Sequence, residues 1–137
     1  MTDMLTQAQQ IRNKAYAPYS RFHVGCCIKT PSGNYYTGCN IENVSYGLTL
    51  CAEGSAIAAM ICAGEKHIQE LAVISNGDEI CTPCGACRQR ISEFASPNTL
   101  IHMYNQAELK QTVTLKELLP FAFNHAHLES TGENTLG

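Results

Sequence analysis

Two spacings of apolar residues run along this chain and separate its predicted helices from its predicted strands. Apolar residues recur every three or four positions over residues 5–15 and stop before Pro18, which predicts a first helix. Residues 22–28 then alternate in steps of two, a turn sequence occupies 31–34, and the extended pattern resumes over 35–39. This pattern predicts a β-hairpin directly after the first helix.

The rest of the chain alternates longer helical runs with short apolar runs. In chain order we predict a helix over 51–63 closed by Gly64, a strand over 71–75, a helix over 85–95, strands over 99–104 and 111–113, and a short helix opened by a capping box at 114–117. Helices that connect strands of one sheet must lie on its faces. The order therefore predicts an α/β fold, a three-layer α-β-α sandwich with a mixed sheet of about five strands.

Length and composition narrow the classes of function. The chain has 137 residues and a formal net charge of −3, which predicts a single domain over residues 1–137 with a flexible tail over 124–137. The acidic balance argues against a nucleic-acid partner. No stretch reaches the roughly 20 apolar residues that span a bilayer, and no basic segment followed by an apolar run opens the chain. We therefore expect no membrane partner and a cytoplasmic location.

Eight cysteines are the unusual feature of the composition. In the cytoplasm thiols stay reduced, so clustered cysteines indicate metal binding or catalysis rather than disulfides. Cys51 and the pair Cys84 and Cys87 fall at or near the starts of two predicted helices, where the helix dipole favours the thiolate. Three such sulfurs would leave a tetrahedral zinc ion with one open position, and Glu53 would reach the same pocket as a proton carrier.

Two other interpretations of these cysteines stay open from the residues alone. A lone Cys-x-x-Cys pair is also typical of a redox pair or of half a structural zinc site. A closed structural site would need a fourth ligand, for which Cys81 is the best candidate. Both interpretations leave Glu53 without a role. We expect Cys26, Cys27 and Cys62 to be small buried apolar residues.

Several motifs together resemble the small, homotetrameric zinc cytidine deaminases over about residues 5–123. They are Tyr-Ala-Pro-Tyr-Ser at 16–20, Phe-His-Val-Gly at 22–25, the Asn-Ile-Glu-Asn segment that begins at 40, Cys-Ala-Glu at 51–53, Pro-Cys-Gly-Ala-Cys-Arg-Gln at 83–89 and Leu-Leu-Pro at 118–120. The resemblance implies that Cys51, Cys84 and Cys87 hold one zinc ion. It also implies that Glu53 carries protons while cytidine or 2′-deoxycytidine is hydrolysed to its uracil counterpart.

The resemblance also implies a set of substrate contacts. These residues are Phe22, Asn40, Glu42, Val44, Tyr46, Ala52 and Phe123. Asn40 and Glu42 would hold the ribose 3′-hydroxyl, and Phe22 would stack on the pyrimidine. Val44, Tyr46 and Phe123 would reach the sites of neighbouring subunits, which implies a homotetramer with shared active sites. By pattern alone, Asn40 shapes a turn and Phe22 belongs to a strand core.

The chain departs from the family pattern at two positions. Family members commonly have arginine after Cys-Ala-Glu, whereas this chain has Gly54. Three thiolates around a divalent cation leave a charge of −1 that such an arginine offsets. We expect Arg88 and the two helix N-termini to take over that duty here. Asn124 replaces a common glycine, and His125 and His127 after it are expected to face solvent.

Other functions remain as alternatives at this level. Within the same fold, the substrate could be a modified cytosine nucleoside such as blasticidin S. A different class is a structural-zinc or redox module without catalysis. Editing of polynucleotides is disfavoured by the acidic balance, because a bound strand needs a cationic groove.

Overall fold

The computed structural model describes residues 3–129. The elements are α1 (Met4–Arg12), β1 (Val24–Lys29), β2 (Tyr35–Cys39), a 3-10 turn (Tyr46–Leu48), α2 (Ala52–Cys62), β3 (Glu70–Ser75), α3 (Gly85–Phe94), β4 (Leu100–Tyr104), β5 (Lys110–Thr114), α4 (Leu115–Leu118) and α5 (His125–Glu129). Among the described helices, none is long and apolar enough to cross a membrane.

The five strands form one mixed sheet in the order β2-β1-β3-β4-β5. β1 is antiparallel to both of its neighbours, β3 and β4 are parallel, and β5 is antiparallel to β4. β2 and β3 therefore run in the same direction with β1 between them. The predicted mixed, five-stranded sheet is confirmed.

Helices cover both faces of this sheet. Because strand side chains alternate between faces, Cys26 and Val73 pack in the cluster that holds Met60 of α2 and Ile91 of α3. The opposite cluster contains Ala72, Ile74 and Cys27 with Ala8 of α1. The three-layer α-β-α arrangement predicted from the pattern is therefore confirmed.

Two glycines bring helices close to the sheet. A Cβ at Gly38 of β2 would lie 2.7 Å from the Ala52 carbonyl oxygen and would contact the Ala56 amide of α2. A Cβ at Gly25 of β1 would lie 2.8 Å from the Arg12 amide of α1. The absence of side chains at these positions sets how closely α2 and α1 pack.

The parallel direction of β2 and β3 determines where the chemistry-bearing loops lie. α2 begins after the loop that leaves the carboxyl end of β2, and α3 begins after the loop that leaves β3. Both loops leave the same edge of the sheet, because the two strands point the same way. The first turns of α2 and α3 therefore meet, and they carry Cys51, Cys84 and Cys87.

The structure adds two features near the ends of the chain that the sequence pattern did not predict. α1 ends at Arg12 rather than near residue 15, because the following segment pairs through Tyr16 with Ile41. At the carboxyl end, α5 forms inside the predicted tail, and the His125 Nε2 atom lies 2.9 Å from a Glu93 carboxylate oxygen of α3. The rest of the predicted tail, 130–137, lies outside the described residues.

Candidate metal centre and active site

Cys51 and Cys84 occupy equivalent positions at the starts of two helices. Cys51 is the N-cap of α2, and its sulfur accepts a hydrogen bond from the Gly54 amide at 3.2 Å. Cys84 is the N-cap of α3, and Cys87 follows in its first turn with 1% of its surface exposed. Unpaired amide groups and the helix dipole make both helix starts favourable for thiolates.

Three potential ligand groups converge at this place. The ligand atoms of Cys51, Glu53 and Cys87 lie within 4.8 Å of one another. The Cys87 thiol lies 2.7 Å from the Cys51 sulfur. Cys84 lies outside this cluster and is exposed, although its side chain interacts with the Cys87 thiol and helps to raise the pKa of Cys87. The structure thus brings two predicted ligands to Glu53 and the third beside Cys87.

The half-buried Cys51 thiol and the buried Cys87 thiol share a proton unequally. The hydrogen bond from Cys87 lowers the pKa of Cys51 to about 6, with further help from the Gly54 amide and against the effect of burial. The same hydrogen bond raises the pKa of Cys87, and burial raises it further. Cys51 is therefore the sulfur that becomes a thiolate first, and the thiolate is the form that binds metal.

Glu53 is the buried acid of the cluster, with 5% of its surface exposed. Burial is the main cause that raises the pKa of Glu53 to about 7, and the neighbouring Cys51 charge adds to it. A carboxyl group in this range both takes up and releases protons near neutral pH, as general acid-base catalysis requires.

The donor set fits zinc. Thiolates at helix N-termini are typical zinc ligands, and the cluster is partly buried. A closed structural site would use Cys81, which lies outside the cluster as Cys84 does. Unlike Cys84, it packs against the core, where burial raises the pKa of its thiol to about 12. Within residues 3–129 the cluster therefore consists of two thiols beside a buried acid.

The two arginines of α3 near the site have different contacts. Arg88, the residue that the sequence favoured, donates to the carbonyl oxygens of Pro83 and Leu118, each at 2.9 Å. Arg90 places its Nη1 atom 3.5 Å from the Cys51 sulfur and 3.9 Å from that of Cys87. The charge of the Cys51 thiolate raises the pKa of Arg90.

Sequence reasoning missed Arg90, although a signal was available. Residues three apart on a helix share a face, and Arg90 is three residues after Cys87. Arg88 points its guanidinium at the loop before α3 instead. It supports the segment that carries Cys84 rather than the sulfurs themselves.

Asn40 and Glu42 follow the end of β2 and hold the loop that precedes β1. The Asn40 amide accepts from the Val24 amide at 2.9 Å and donates to the Phe22 carbonyl at 2.7 Å. The Glu42 carboxylate accepts from the Tyr19 amide at 2.9 Å and from both the amide and hydroxyl of Ser20. The Ser20 hydroxyl is the main cause that lowers the pKa of Glu42.

The remaining predicted substrate residues are mostly at the surface. Phe22 precedes β1 and has 44% of its surface exposed, so it is not a core residue. Val44 and Tyr46 are 78% and 73% exposed, and the Tyr46 ring lies 5.7 Å from the Tyr19 ring, edge to face. Phe123 is 58% exposed and stacks on His127. Ala52, by contrast, is buried in the first turn of α2.

Not all the non-ligand cysteines have the predicted surroundings. Cys26 and Cys27 are fully buried in the sheet, as predicted. Cys62 is exposed at the last position of α2, so the prediction of burial is wrong there. Its helix face points away from the sheet, a distinction that an apolar-rich segment does not reveal.

Comparison with known proteins assigns this chain to a family. Residues 1–103 match the family model described as the cytidine and deoxycytidylate deaminase zinc-binding region. A cytidine deaminase of Sporosarcina psychrophila is 36% identical over 131 residues, which cover 95% of this chain and 96% of the relative. One of Halalkalibacterium halodurans is 40% identical over 120 residues, covering 88% and 91%.

The fold agrees with these relatives. The crystal structure of a cytidine deaminase from Burkholderia pseudomallei superposes with a TM-score of 0.85 at 38% identity, covering 90% of this chain and all of that one. The thiol cluster at two helix starts and the buried carboxyl beside it lie within residues 1–103, the region that the family model matches. The chain therefore belongs to the family of zinc-dependent cytidine deaminases, enzymes that catalyse deamination.

Proposed function

We propose that this protein catalyses the hydrolytic deamination of cytidine and 2′-deoxycytidine to uridine and 2′-deoxyuridine, with release of ammonia. The observation that carries the proposal is the buried Glu53 carboxyl within 4.8 Å of the Cys51 and Cys87 sulfurs. A redox pair or a structural zinc site has no use for an acid at this position. The proposal places the enzyme in pyrimidine salvage in the cytoplasm, a location supported by its eight free cysteines.

In the proposed mechanism, Cys51, Cys84 and Cys87 hold the zinc ion. Zinc bound there would act as a Lewis acid that lowers the pKa of a water molecule to about 7. Glu53 takes a proton from the attacking water and gives it to the pyrimidine N3 as the C4–O bond forms. Glu53 then takes the proton of the new C4 hydroxyl and gives it to the amino group as the C4–N bond breaks and the C4=O bond forms, so the products are the uracil nucleoside and ammonia.

Asn40, Glu42, Phe22 and Ala52 are proposed to bind the substrate. The contacts within the loop leave Asn40 one amide N–H and leave the Glu42 carboxylate one of its roughly four lone-pair positions. A ribose 3′-hydroxyl donates one hydrogen bond and accepts another, so it complements these two groups. The exposed Phe22 ring lies beside the same loop, where a pyrimidine can stack on it.

We also propose a homotetramer in which neighbouring subunits complete each site. An exposed apolar surface supports this proposal, since patches of this kind mark protein interfaces. Its residues are Tyr16, Tyr19, Phe22, Ile41, Val44, Tyr46, Leu48 and Leu50. Phe123 would reach an adjacent protomer. Analytical ultracentrifugation is expected to show four chains in the active species, and an active monomer would refute the tetramer.

One preparation tests the reaction. Elemental analysis of the purified chain is expected to give one zinc ion per chain. The absorbance of cytidine, 2′-deoxycytidine and blasticidin S is then followed with that preparation. Turnover of the first two supports the proposal, whereas turnover of blasticidin S alone would replace it with deamination of a modified nucleoside. Bound zinc without any turnover would favour the structural-zinc alternative.

A further inference from the structure

The thiol cluster carries more negative charge than one zinc ion neutralises. Three thiolates and a divalent cation sum to −1, and the buried Glu53 beside them can add to it. The N-termini of α2 and α3 supply partial positive charge, roughly half a unit each. A fixed cation next to the sulfurs would complete the balance and determine how tightly the metal is held.

Arg90 supplies a cation at this place. Its Nη1 atom lies 3.5 Å from the Cys51 sulfur and 3.9 Å from the Cys87 sulfur. One guanidinium nitrogen thus bridges ligands from two different helices. Among the hydrogen bonds described for residues 3–129, Arg90 is the cationic side chain that contacts the site sulfurs. Arg88 instead donates to the carbonyl oxygens of Pro83 and Leu118.

Gly54 of α2 lies next to both the Cys51 sulfur and the stem of Arg90. A Cβ at position 54 would lie 3.2 Å from the Cys51 sulfur and 3.9 Å from the Arg90 Cδ atom. A Cβ there would be tight against the sulfur and in ordinary van der Waals contact with the arginine stem, so position 54 lies beside both groups. Gly54 of α2 and Arg90 of α3 therefore both border the Cys51 sulfur.

We propose that Arg90, passing over Gly54 from α3 to α2, is a positioning residue that offsets the charge of the zinc thiolates and strengthens zinc binding. This inference rests on the proposed zinc chemistry of the site. It assigns the role expected of Arg88 to a residue one turn after the last ligand. It also predicts that a cation placed on α2 at position 54 can replace the one on α3.

Zinc affinity of the full chain, measured by competition with a chromogenic chelator, tests the proposal. Removing a group that supports metal ligands typically costs about 10- to 100-fold in metal affinity, so we expect this loss in Arg90→Met. Arg90→Lys should keep part of the affinity, because lysine keeps the charge but lacks the planar fork. The double variant Gly54→Arg with Arg90→Met should regain most of the loss.

Arg88→Met is the matched control, because it removes the same charge from the same helix. We expect it to lower the melting temperature through its two lost carbonyl contacts, and adding Gly54→Arg should not rescue it. The salt dependence of zinc affinity is a second readout. An effect of charge weakens as salt is added, whereas an effect of packing does not. Between about 0.1 M and 1 M salt the Debye length falls from about 10 Å to about 3 Å, so the affinity gap between wild type and Arg90→Met should narrow.

Each outcome decides the proposal. Zinc affinity of Arg90→Met within twofold of wild type overturns it. A loss that is independent of salt and equal in Arg90→Lys overturns it as well, because it shows packing rather than charge; this criterion holds even when the double variant does not fold. A wild-type chain that binds no zinc would instead overturn the proposed function and this inference with it.

Discussion

The two ends of α2 carry glutamates in opposite states. Glu53 lies in the first turn, almost fully buried, where burial raises its pKa to about 7. Glu65 lies just beyond the last turn and accepts hydrogen bonds from the Ser32 hydroxyl at 2.6 Å, the Asn34 amide at 3.1 Å and the Tyr36 hydroxyl at 2.5 Å. These donors, Ser32 first, lower the pKa of Glu65 to about 2.

Position along the helix alone predicts the reverse order of the two pKa values, with Glu53 below Glu65. The helix dipole stabilises a carboxylate at the N-terminus by about 0.3–1 kcal/mol and disfavours one near the C-terminus. Burial can shift a pKa by several units, and three donors stabilise an ionised carboxylate strongly. Local surroundings therefore outweigh the dipole at both ends. Glu53 is suited to proton transfer, and Glu65 fastens the β1–β2 hairpin to the end of α2.

Replacing each of these glutamates by glutamine is expected to give the largest difference between the two ends of α2, measured in kcat. Glu53→Gln is expected to lower kcat by at least about 10²–10⁴-fold, because the proton carrier is lost, while zinc content and fold remain. Glu65→Gln should leave kcat within about twofold of wild type. Cytidine turnover by absorbance and zinc by elemental analysis measure both. Near wild-type turnover in Glu53→Gln would remove the catalytic assignment.

Glycine substitutions test whether the site end of α2 is also the more tightly packed end. Gly38→Ala forces a Cβ against Ala52 and Ala56, and overpacking of this kind costs about 1–3 kcal/mol of unfolding free energy. Because the clash displaces the turn that follows Cys51, we expect weaker zinc binding too. Urea unfolding and chelator competition measure the two effects.

The matched control at the other end is Gly64→Ala. Gly64 has a φ of +92° and nothing lies within 4 Å of its Cβ position, so the cost is conformational, about 1–2 kcal/mol. Zinc affinity should not change. Equal loss of zinc affinity in both variants would show that α2 transmits strain along its whole length and would weaken the contrast between its ends.

The smallest effect concerns pH. A carboxyl group whose pKa is lower in the folded state stabilises the fold above its unfolded pKa, near 4.5, and this contribution is lost as the pH falls toward about 2. Glu65→Gln should therefore lower the melting temperature by a few degrees at pH 6, and the difference from wild type should shrink between pH 5 and pH 2.5. A difference that stays constant with pH would show that the Glu65 charge is irrelevant.

The sheet and the places of the cysteines at helix starts could be predicted from the sequence because both depend on local patterns. Alternation encodes which face a strand residue occupies, so all five strands were predicted. Gly64 with its positive φ confirms the predicted end of α2. Cys51 and Cys84 could be placed at helix starts, since caps are short-range features.

The features that sequence reasoning missed depend on contacts between distant segments. α1 is shortened by the pairing of Tyr16 with Ile41, and α5 begins where His125 meets Glu93. Arg90 reaches the Cys51 sulfur from a different helix, beside Gly54. Spacing along α3 places Arg90 on the face of Cys87, but its contact with Cys51 on α2, like the other two features, depends on a second segment of the chain.

The sequence separation between the paired cysteines has a consequence for how the enzyme is made. Cys51 and Cys87 are 36 residues apart, and the whole of β3 lies between them. During synthesis the first sulfur leaves the ribosome well before its partners, so metal capture must wait until β3 and the start of α3 have emerged. Once bound, the ion closes this long loop and lowers the entropy of any partly unfolded chain. If Cys51 and Cys87 hold zinc as proposed, metal supply during translation is therefore expected to affect the yield of folded protein.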